Sequence, residues 1–330
     1  MTALVTGVTG FTGGHLARHL RLRGVSVRGL VRPRSLDRPE VASLREAGVE
    51  IVSGDLTDAA AVAAACRGTD VVYHIAATYR EAGQPDSAYR AINVLGVQHV
   101  IDGARAAGAR RVVHCSTGGV HGHVAAPPAN EDAPFNPGDV YQDTKLEGER
   151  LARAEGLAGG VEVVIARPIG IYGPGDLRFL KMFRGISRRR FPVLGSGEVF
   201  YHLTYIDDLC EGFRLCGEVP GAAGRTYILA GPRYTTLNAL VEMIATELKV
   251  RPLPIHLPVW PFWLAGAACE AVCVPLRVQP PLYRRRVDFY TKSRAFDTSR
   301  ARTELGYAPA VDLPEGIRRT IAWYRAQGLL

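Results

Sequence analysis

A tyrosine and a lysine, Tyr141 and Lys145, stand four residues apart in a stretch of helical pattern. Residues at this spacing lie one above the other on one helix face. An ammonium group beside a phenol favours the phenolate and lowers its pKa from about 10 towards neutrality, which makes the tyrosine a usable general acid and base. Thr117 adds a hydroxyl at the end of an apolar strand-like run. We predict that Thr117, Tyr141 and Lys145 act together in catalysis.

Glycines at Gly7, Gly10 and Gly13 have the spacing GxxGxxG and directly follow an apolar run at the start of the chain. At a strand-turn-helix junction, such glycines permit a tight turn and a close backbone approach. They also leave the helix N-terminus pointing its N–H groups at an anion. The pattern predicts a site for the pyrophosphate of a dinucleotide.

The end of the second predicted strand bears on the choice between NAD and NADP. An NAD site usually has an acidic residue here that accepts from the ribose 2′-hydroxyl. This chain has Arg32 and Arg34 instead, which can pair with a 2′-phosphate. The cofactor is therefore predicted to be NADP or NAD, with NADP slightly favoured.

These residues must be positioned by a sheet. Short apolar runs at 3–6, 25–31, 49–53, 70–74, 111–115 and 161–166 alternate with helical patterns at 13–23, 41–47, 59–66, 88–107 and 142–155. Apolar strands between helices are typical of a doubly wound parallel α/β (Rossmann) sheet covered on both faces. Ligands bind at the carboxyl ends of such strands, where Thr117 stands.

The rhythm changes after residue 167. Strand-like runs at 201–206 and 226–229 mix with a helical pattern at 236–248. We predict a dinucleotide-binding domain at 1–167, with returning segments near 201–230. A smaller mixed α/β substrate lobe is predicted at 168–330.

Composition excludes some classes of protein. Of 330 residues, 47% are apolar and 22% charged, which suits a folded globular chain and not a disordered one. Lys and Arg total 40 against 32 Asp and Glu, a net charge of +8. The densest basic clusters are only three residues long, at 188–190 and 284–286, so a solvated surface or a local anion site is favoured over nucleic acid.

The spacing of the cysteines and the pattern of the first few residues indicate the cellular compartment. No two cysteines have CxxC spacing, which is typical of free thiols in a reducing cytoplasm; they are Cys66, Cys115, Cys210, Cys216, Cys269 and Cys273. No signal-peptide pattern precedes the first strand-like run. The apolar segment 257–274 contains two prolines and a glutamate, which disfavours a spanning helix. A core helix hairpin, the wall of an apolar pocket and contact with a membrane surface all remain open for it.

The full set of motifs resembles the extended short-chain dehydrogenases/reductases, over essentially the whole chain. The matching residues are Gly7, Gly10, Phe11, Gly13, Asp55, His74, Ala76, Ala77, Asn93, Thr117, Tyr141, Lys145, Arg167, Pro168, Tyr172, Tyr205, Asp208, Asp297 and Tyr307. The resemblance implies that Thr117 supplies the hydroxyl, Tyr141 the acid/base and Lys145 the ribose-binding cation. It also implies a homodimer. The expected cofactor contacts are Gly7, Thr9, Gly10, Phe11, Arg32, Asp55, Leu56, Ala76, Ala77, Lys145 and Pro168, with no metal.

The substrate is less well specified by these motifs. Nucleotide-sugar members of this family usually carry an arginine where this chain has Tyr201, and Arg286 only partly matches a second family arginine. Losing the first contact with a diphosphate would cost about 2 kcal/mol. The apolar second lobe is similar to the 3β-hydroxysteroid and sterol dehydrogenase branch. Substrate contacts are expected from Thr78, His121, Tyr201 and Arg286, although a structural role for His121 is the stronger interpretation.

Three hypotheses follow. The first is a cytoplasmic NAD(P)-dependent oxidoreductase acting on a lipophilic, steroid-like 3β-hydroxy substrate. The second is a sugar-nucleotide 4-epimerase or dehydratase with tightly held NAD. The third, a dinucleotide sensor without chemistry, is disfavoured by the intact set of Thr117, Tyr141 and Lys145.

Overall fold

The alternating apolar and helical runs in the first half of the chain produce a parallel sheet. A computed structural model describes residues 1–79, 84–273, 275–276, 278 and 280–330. In chain order the strands are β1 (Thr2–Thr6), β2 (Ser26–Val31), β3 (Glu50–Ser53), β4 (Val71–His74), β5 (Arg111–Cys115), β6 (Glu162–Pro168), β7 (Ile171–Tyr172), β8 (Val193–Leu194), β9 (Phe200–Tyr201), β10 (Thr204–Tyr205), β11 (Thr226–Leu229), β12 (Thr235–Thr236) and β13 (His256–Leu257).

Thirteen α-helices are found in these described ranges. They are α1 (Phe11–Leu22), α2 (Pro39–Glu46), α3 (Ala59–Cys66), α4 (Asp86–Arg90), α5 (Gly96–Ala106), α6 (Val140–Ala158), α7 (Leu180–Ser187), α8 (Ile206–Glu218), α9 (Leu237–Leu248), α10 (Trp260–Cys273), α11 (Arg284–Thr291), α12 (Ser299–Leu305) and α13 (Leu313–Ala326). A π-helical turn, Ala91–Leu95, joins α4 to α5.

The central sheet has the strand order β11-β6-β5-β4-β1-β2-β3, and all its pairings are parallel. Successive side chains of a strand point to opposite faces. Accordingly, Ala3 and Val5 of β1 belong to one buried apolar cluster, while Leu4 belongs to a second cluster on the other face. Burial on both faces confirms the predicted doubly wound α/β class.

The second half of the chain adds elements to the central sheet and its helices and also builds a separate lobe. Helix α8 packs against α1, and β11 pairs with β6 at the sheet edge. Elsewhere the pairings are only two residues long: β7 with β10, β9 with β12, and β8 with β13. These short ladders and helices α7, α9, α10 and α11 build a mixed α/β lobe. The division at residue 167 stays a prediction.

The single strand predicted at 201–206 is wrong. Tyr201 of β9 pairs antiparallel with Thr235, whereas Tyr205 of β10 pairs parallel with Tyr172. The chain changes partner at 202–203, and α8 already begins at Ile206. A local apolar pattern cannot reveal this change, because both partners are distant in sequence.

The apolar segment 257–274 forms mainly helix α10, but it is not a core hairpin. Gly266 is the one fully buried residue of this helix, and several large apolar side chains face solvent. Val274 lies outside the described residues. In the described parts of the chain, no helix combines the length and apolar character needed to cross a bilayer.

Candidate functional site

A cavity of about 990 Å³ opens at the carboxyl ends of the central strands. Its lining includes Gly7 after β1, Arg32 after β2, Asp55 after β3, Ala76 after β4 and Thr117 after β5. The carboxyl edge is where open α/β sheets bind ligands, because loops and helix N-termini converge there. Apart from Arg34, all the predicted cofactor and catalytic residues line this one cavity.

The glycine loop has the close approach that its sequence predicts. Gly7 has φ +72°, and a Cβ on it would lie 2.8 Å from the Cα of Ala76. A Cβ on Gly13 would lie 2.3 Å from the carbonyl oxygen of Gly7. Helix α1 can therefore pack against the loop only because residue 13 has no side chain. Helix α1 carries no side-chain cap and no acidic residue in its first turn. Its N-terminal N–H groups therefore suit a pyrophosphate.

Thr6 joins the glycine loop to the segment after β4. Its hydroxyl accepts hydrogen bonds from the backbone N–H of Ile75 and of Ala76, each at 3.1 Å. The same hydroxyl lies 2.9 Å from Nδ1 of His74 and donates to it, since its lone pairs are already engaged. This network fixes Ala76 and Ala77 beside the cavity, where small side chains leave room for a dinucleotide.

The expected adenosine end of the cavity carries both signs of charge. Asp55 accepts from the N–H and hydroxyl of Thr57, at 3.0 and 2.9 Å. Burial opposes its charge, but these hydrogen bonds and the nearby Arg32 and Arg34 lower the pKa of its carboxyl. Arg34 does not line the cavity, whereas Arg38, which the sequence did not single out, does. Arg38 also pairs with Glu40 at 3.1 Å.

Tyr141 and Lys145 both face the cavity from α6. Lys145 is only 1% exposed, and burial lowers the pKa of its ammonium. A buried cation on a cavity wall is well placed to hold ribose hydroxyls and to stabilise a phenolate beside it. The ring of Tyr79 packs edge-on against Tyr141, with centroids 4.8 Å apart; no pattern in the sequence indicated this contact.

The hydroxyl of Thr117 acts as a hydrogen-bond acceptor within the fold. It accepts from the N–H of Gly119 at 3.0 Å and so caps the short 3₁₀ helix Gly118–His121. The oxygen serves as acceptor in this cap, which leaves its hydrogen to donate towards an oxygen in the cavity. The cap at Gly119 is therefore compatible with the substrate contact predicted for Thr117.

A buried ion pair lies behind this wall. Glu149, one turn beyond Lys145 on α6, accepts from Ser116 at 2.6 Å and from Nε of Arg167 at 3.0 Å. Arg167 and Glu149 are 0% and 1% exposed. Burial opposes the charge of Glu149, but the hydrogen bonds from Arg167 lower the pKa of its carboxyl. The pair ties α6 to the ends of β5 and β6, and so fixes Tyr141 relative to Thr117.

His121 is not among the residues that line the cavity. Arg167 donates to its Nε2 at 3.0 Å, and its Nδ1 lies 3.2 Å from the carbonyl oxygen of Pro134. Burial and the adjacent Arg167 lower the pKa of this imidazole. These partners on both ring nitrogens favour the structural role for a neutral His121, and its contact with substrate stays a prediction.

Two more histidines lie beneath the cofactor region. His74 and His114 occupy paired positions on β4 and β5, with ring centroids 5.6 Å apart. Burial lowers the pKa of His74 to about 3 and that of His114 well below its usual range, and Lys145 adds to both shifts. Neither nitrogen of His114 has a hydrogen-bond partner among the described residues. Both rings are neutral.

The far half of the cavity is apolar and basic. Asn93 holds Thr78, another expected substrate contact, through hydrogen bonds of 2.9 and 3.2 Å to its backbone. The hydroxyl of Tyr201 donates to the carbonyl oxygen of Phe289, and Arg286 donates to that of Pro281 at 2.9 Å. Thr78, Tyr201 and Arg286 all line the cavity. Other lining residues from the second half of the chain are Phe179, Met182, Phe191, Tyr290, Arg178, Lys181 and Arg294.

No described residue of 257–273 lines the cavity, so the expected pocket wall is supplied by other elements. Helix α11 takes this place with Arg286, Phe289 and Tyr290. Helix α10 packs against α11, and a Cβ on Gly266 would lie 2.8 Å from the backbone nitrogen of Arg284. The apolar segment thus supports the wall from outside.

A doubly wound sheet whose glycine loop shares one cavity with the Thr117–Tyr141–Lys145 set defines a nicotinamide-dependent enzyme of the extended short-chain type. The family comparison agrees: the NAD dependent epimerase/dehydratase family model matches residues 3–230. The chain belongs to this family.

Relatives from this family differ in the substrates that their names state. Sterol demethylase protein B of Methylococcus capsulatus is 31% identical over 100% of both chains. The 2-alkyl-3-oxoalkanoate reductase of Stenotrophomonas maltophilia is 31% identical over 97% of this chain and 98% of its own. The crystal structure of DesIV, a dTDP-glucose 4,6-dehydratase from Streptomyces venezuelae with NAD and TYD bound, is 27% identical. It covers 99% of this chain and 97% of its own with a TM-score of 0.76.

Proposed function

We propose that this protein is an NAD(P)-dependent oxidoreductase that interconverts a secondary alcohol and a ketone on a lipophilic, steroid- or sterol-like 3β-hydroxy substrate. The main support is that one cavity contains the glycine loop, the residues Thr117, Tyr141 and Lys145, and a largely apolar region lined by the second lobe. When bound, the dinucleotide accepts or supplies the hydride.

The chain's own residues move the proton and hold the reacting oxygen. In the oxidation direction, the carbinol carbon gives up hydride while Tyr141, as phenolate, takes the hydroxyl proton. Thr117 donates a hydrogen bond to the same oxygen, and the ammonium of Lys145 stabilises the phenolate. Reduction reverses each transfer. Glu149 and Arg167 position α6 but touch none of the reacting atoms.

Two features of the far half support a lipophilic substrate. Aromatic and aliphatic side chains, among them Phe179, Phe191 and Phe289, offer apolar contact. At about 25 cal/mol/Å², several hundred Å² of such contact supplies several kcal/mol of binding free energy. Tyr201 occupies the position where nucleotide-sugar members have an arginine, and its hydroxyl is already bonded to the backbone.

The basic residues in the same half favour a substrate that also carries an anionic group. Lys181, Arg286 and Arg294 line the cavity there, and the one acidic residue among the neighbouring lining residues, Asp288, pairs with Lys292 at 2.9 Å. A carboxylate on the carbon next to the carbinol fits this charge. Oxidation of the carbinol in such a substrate would give a β-keto acid, which can lose carbon dioxide without further help from the protein.

The second candidate is a sugar-nucleotide 4-epimerase or dehydratase. The observation that favours it is the same set of cations, which can bind a diphosphate as well as a carboxylate. This reaction regenerates its cofactor in each cycle, so such an enzyme should purify with NAD bound and work without added dinucleotide.

The preferred cofactor is NADP, because Arg32 and Arg38 line the adenosine end and the end of β2 carries Arg32 in place of an acidic residue. Replacing Arg32 with alanine should raise the KM for NADP about tenfold, since a charge-assisted contact to the 2′-phosphate is lost. The KM for NAD should stay nearly constant. An equal effect on both cofactors would contradict the preference.

The deciding experiment is a thermal-shift and turnover panel. Sterols, steroid alcohols and 2-alkyl-3-hydroxy acids are compared with UDP- and dTDP-sugars, each with NAD and with NADP. The proposal expects stabilisation by a lipophilic alcohol and stoichiometric cofactor reduction. Turnover of a sugar nucleotide with no net change in the cofactor would instead establish the second candidate.

We also propose a cytoplasmic homodimer, as members of the extended short-chain class form. Light scattering after size exclusion would measure the mass directly. A monomer at micromolar concentration would overturn the dimer and leave the reaction unaffected.

A further inference from the structure

Helix α10 has an apolar surface that the proposed reaction does not use. Trp260, Trp263, Leu264 and Val272 are 66%, 46%, 51% and 61% exposed. Trp260, Trp263 and Leu264, together with the exposed Ala268, are spaced three or four residues from one another along the chain, so these four lie along one side of the helix. We call this set the α10 face.

This face departs from the usual pattern of a surface helix. A solvent-facing side normally carries charged and polar residues, and a helix that is apolar all round is normally buried in a core or a membrane. Gly266 is the single fully buried residue of α10, so the helix is not a core element. Fourteen residues span about 21 Å, which is too short to cross a bilayer core of about 30 Å. The α10 face therefore requires a cover that lies along it.

The charge around the α10 face indicates what that cover is. Between Lys249 and Arg286 the sequence contains six Lys and Arg residues and a single acidic residue, Glu270. Glu270 is already paired with Arg284 at 2.6 Å. The guanidinium of Arg284, half exposed, lies 5.7 Å from the ring centroid of Trp263. Six basic residues against one acidic residue give this stretch of sequence a net charge of +5, out of +8 for the protein, and Arg284 places part of that charge beside Trp263.

A second copy of the chain is a poor cover for such a surface. A two-fold interface brings the same patch of both copies together, and here that would place two strongly basic segments face to face. An anionic phospholipid surface has the opposite charge and accepts apolar side chains between its headgroups. Tryptophan with flanking Lys and Arg is the composition typical of helices that lie in this interfacial plane.

We propose that the α10 face docks the protein on an anionic phospholipid bilayer, with α10 lying parallel to the surface. Trp260, Trp263 and Leu264 enter the headgroup boundary, and the surrounding basic residues contact lipid phosphates. Helix α11, against which α10 packs, lines the substrate half of the cavity. Docking therefore places the cavity wall next to the lipid phase. The docking itself does not depend on the proposed reaction.

Vesicle flotation of the full-length protein tests the docking. The probes are vesicles of phosphatidylcholine mixed with phosphatidylglycerol and vesicles of phosphatidylcholine alone. Wild type should float with the mixed vesicles, bind the neutral ones more weakly, and detach as salt rises. Each basic residue close to an anionic surface strengthens binding about fivefold.

Matched substitutions locate the contact. Leu264→Glu should weaken binding to mixed vesicles about tenfold or more, whereas Leu157→Glu should bind as wild type does. Leu157 is 83% exposed on α6 and matches Leu264 in residue type, but it lies outside the α10 face. Equal binding by the two variants would overturn the proposal. So would failure of wild type to float.

Two further measurements separate insertion into lipid from formation of a dimer. Brominated phosphatidylcholine in the mixed vesicles should quench the fluorescence of Trp260 and Trp263; unchanged fluorescence would contradict insertion of α10. Size exclusion with light scattering tests the other cover. If Leu264→Glu halves the mass measured in solution and the wild-type protein does not bind vesicles, the α10 face is a dimer interface and the proposal fails.

Discussion

Helices α6 and α10 break the usual rule of apolar inside and charged outside in opposite ways. Helix α6 buries Lys145 and Glu149, each 1% exposed, whereas α10 exposes two tryptophans and a leucine. On α6, Glu149 has Arg167 as a buried partner, and Lys145 borders the cavity that receives the cofactor. On α10, the described protein supplies no cover. Each exception therefore marks a place where something outside the chain completes the structure: a dinucleotide at α6 and a lipid surface at α10.

The largest effect is expected at the catalytic end of α6. Tyr141→Phe removes the proton carrier and leaves the ring, so turnover should fall by about 10²- to 10⁴-fold. Fluorescence titration with NADPH should give nearly unchanged affinity, because Lys145 and the glycine loop remain. Val140 precedes Tyr141 and does not line the cavity; Val140→Ala, as the control, should keep most of its turnover.

Breaking the buried pair on α6 should cost stability. Glu149→Gln leaves the guanidinium of Arg167 buried without its counter-charge, and the free energy of unfolding should drop by about 3 to 5 kcal/mol. Urea denaturation measures the change. Glu50→Gln, which breaks the exposed pair with Arg28 at 3.2 Å, should cost less than about 1 kcal/mol. Similar losses in both variants would show that the buried network has no special role.

His74 and His114 predict how stability depends on pH. In the folded protein both imidazoles have pKa values below the unfolded value of about 6.5, and the pKa of His74 is lowered to about 3. The unfolded chain therefore binds more protons below pH 6.5. The stability contribution is complete above that pH and is lost as pH falls towards 3.

The variant His114→Leu isolates one of these two groups. The slope of unfolding free energy against pH between 6 and 4 should decrease by about 1.4 kcal/mol per pH unit, the value for one proton. Stability at pH 7 should not fall, because two nitrogens without partners are removed. An unchanged slope would mean that His114 is protonated in the folded protein.

The smallest effect is expected on α10. Leu264→Ala removes an exposed side chain and should change the free energy of unfolding by less than about 0.5 kcal/mol. The matched change Leu209→Ala, at a fully buried position on α8, should cost about 2 to 5 kcal/mol. A large loss for Leu264→Ala would show that the α10 face is already covered within the fold.

The fold could be predicted best where local patterns repeat. Each of the strands β1 to β5 is a short apolar run of four to six residues followed by a helical segment, and parallel order follows from that alternation. The glycine loop and the pair Tyr141 and Lys145 are local patterns too. Their meeting in one cavity was expected from the shared carboxyl edge of the predicted parallel sheet and from the resemblance to a known family.

The second lobe could not be predicted in this way. Its strand pairs are two residues long and join distant segments, such as β8 with β13, so no local periodicity encodes them. For the same reason the sequence did not predict that Arg38, Tyr79 and Lys181 line the cavity, because tertiary packing brings them there. The segment 257–274 was identified as unusual, but only the packing of α10 on α11 shows that its described residues, 257–273, stand outside the cavity and not in its wall.

The central claim is that the Thr117–Tyr141–Lys145 site transfers hydride between a nicotinamide and a lipophilic carbinol carbon. Incubation with NADPH deuterated at C4 and a candidate ketone, followed by mass spectrometry of the alcohol, tests it most directly. We expect one deuterium at the carbinol carbon with wild type and nearly none with Tyr141→Phe. Deuterium that stays on the cofactor during turnover, or equal transfer by the variant, would contradict the claim.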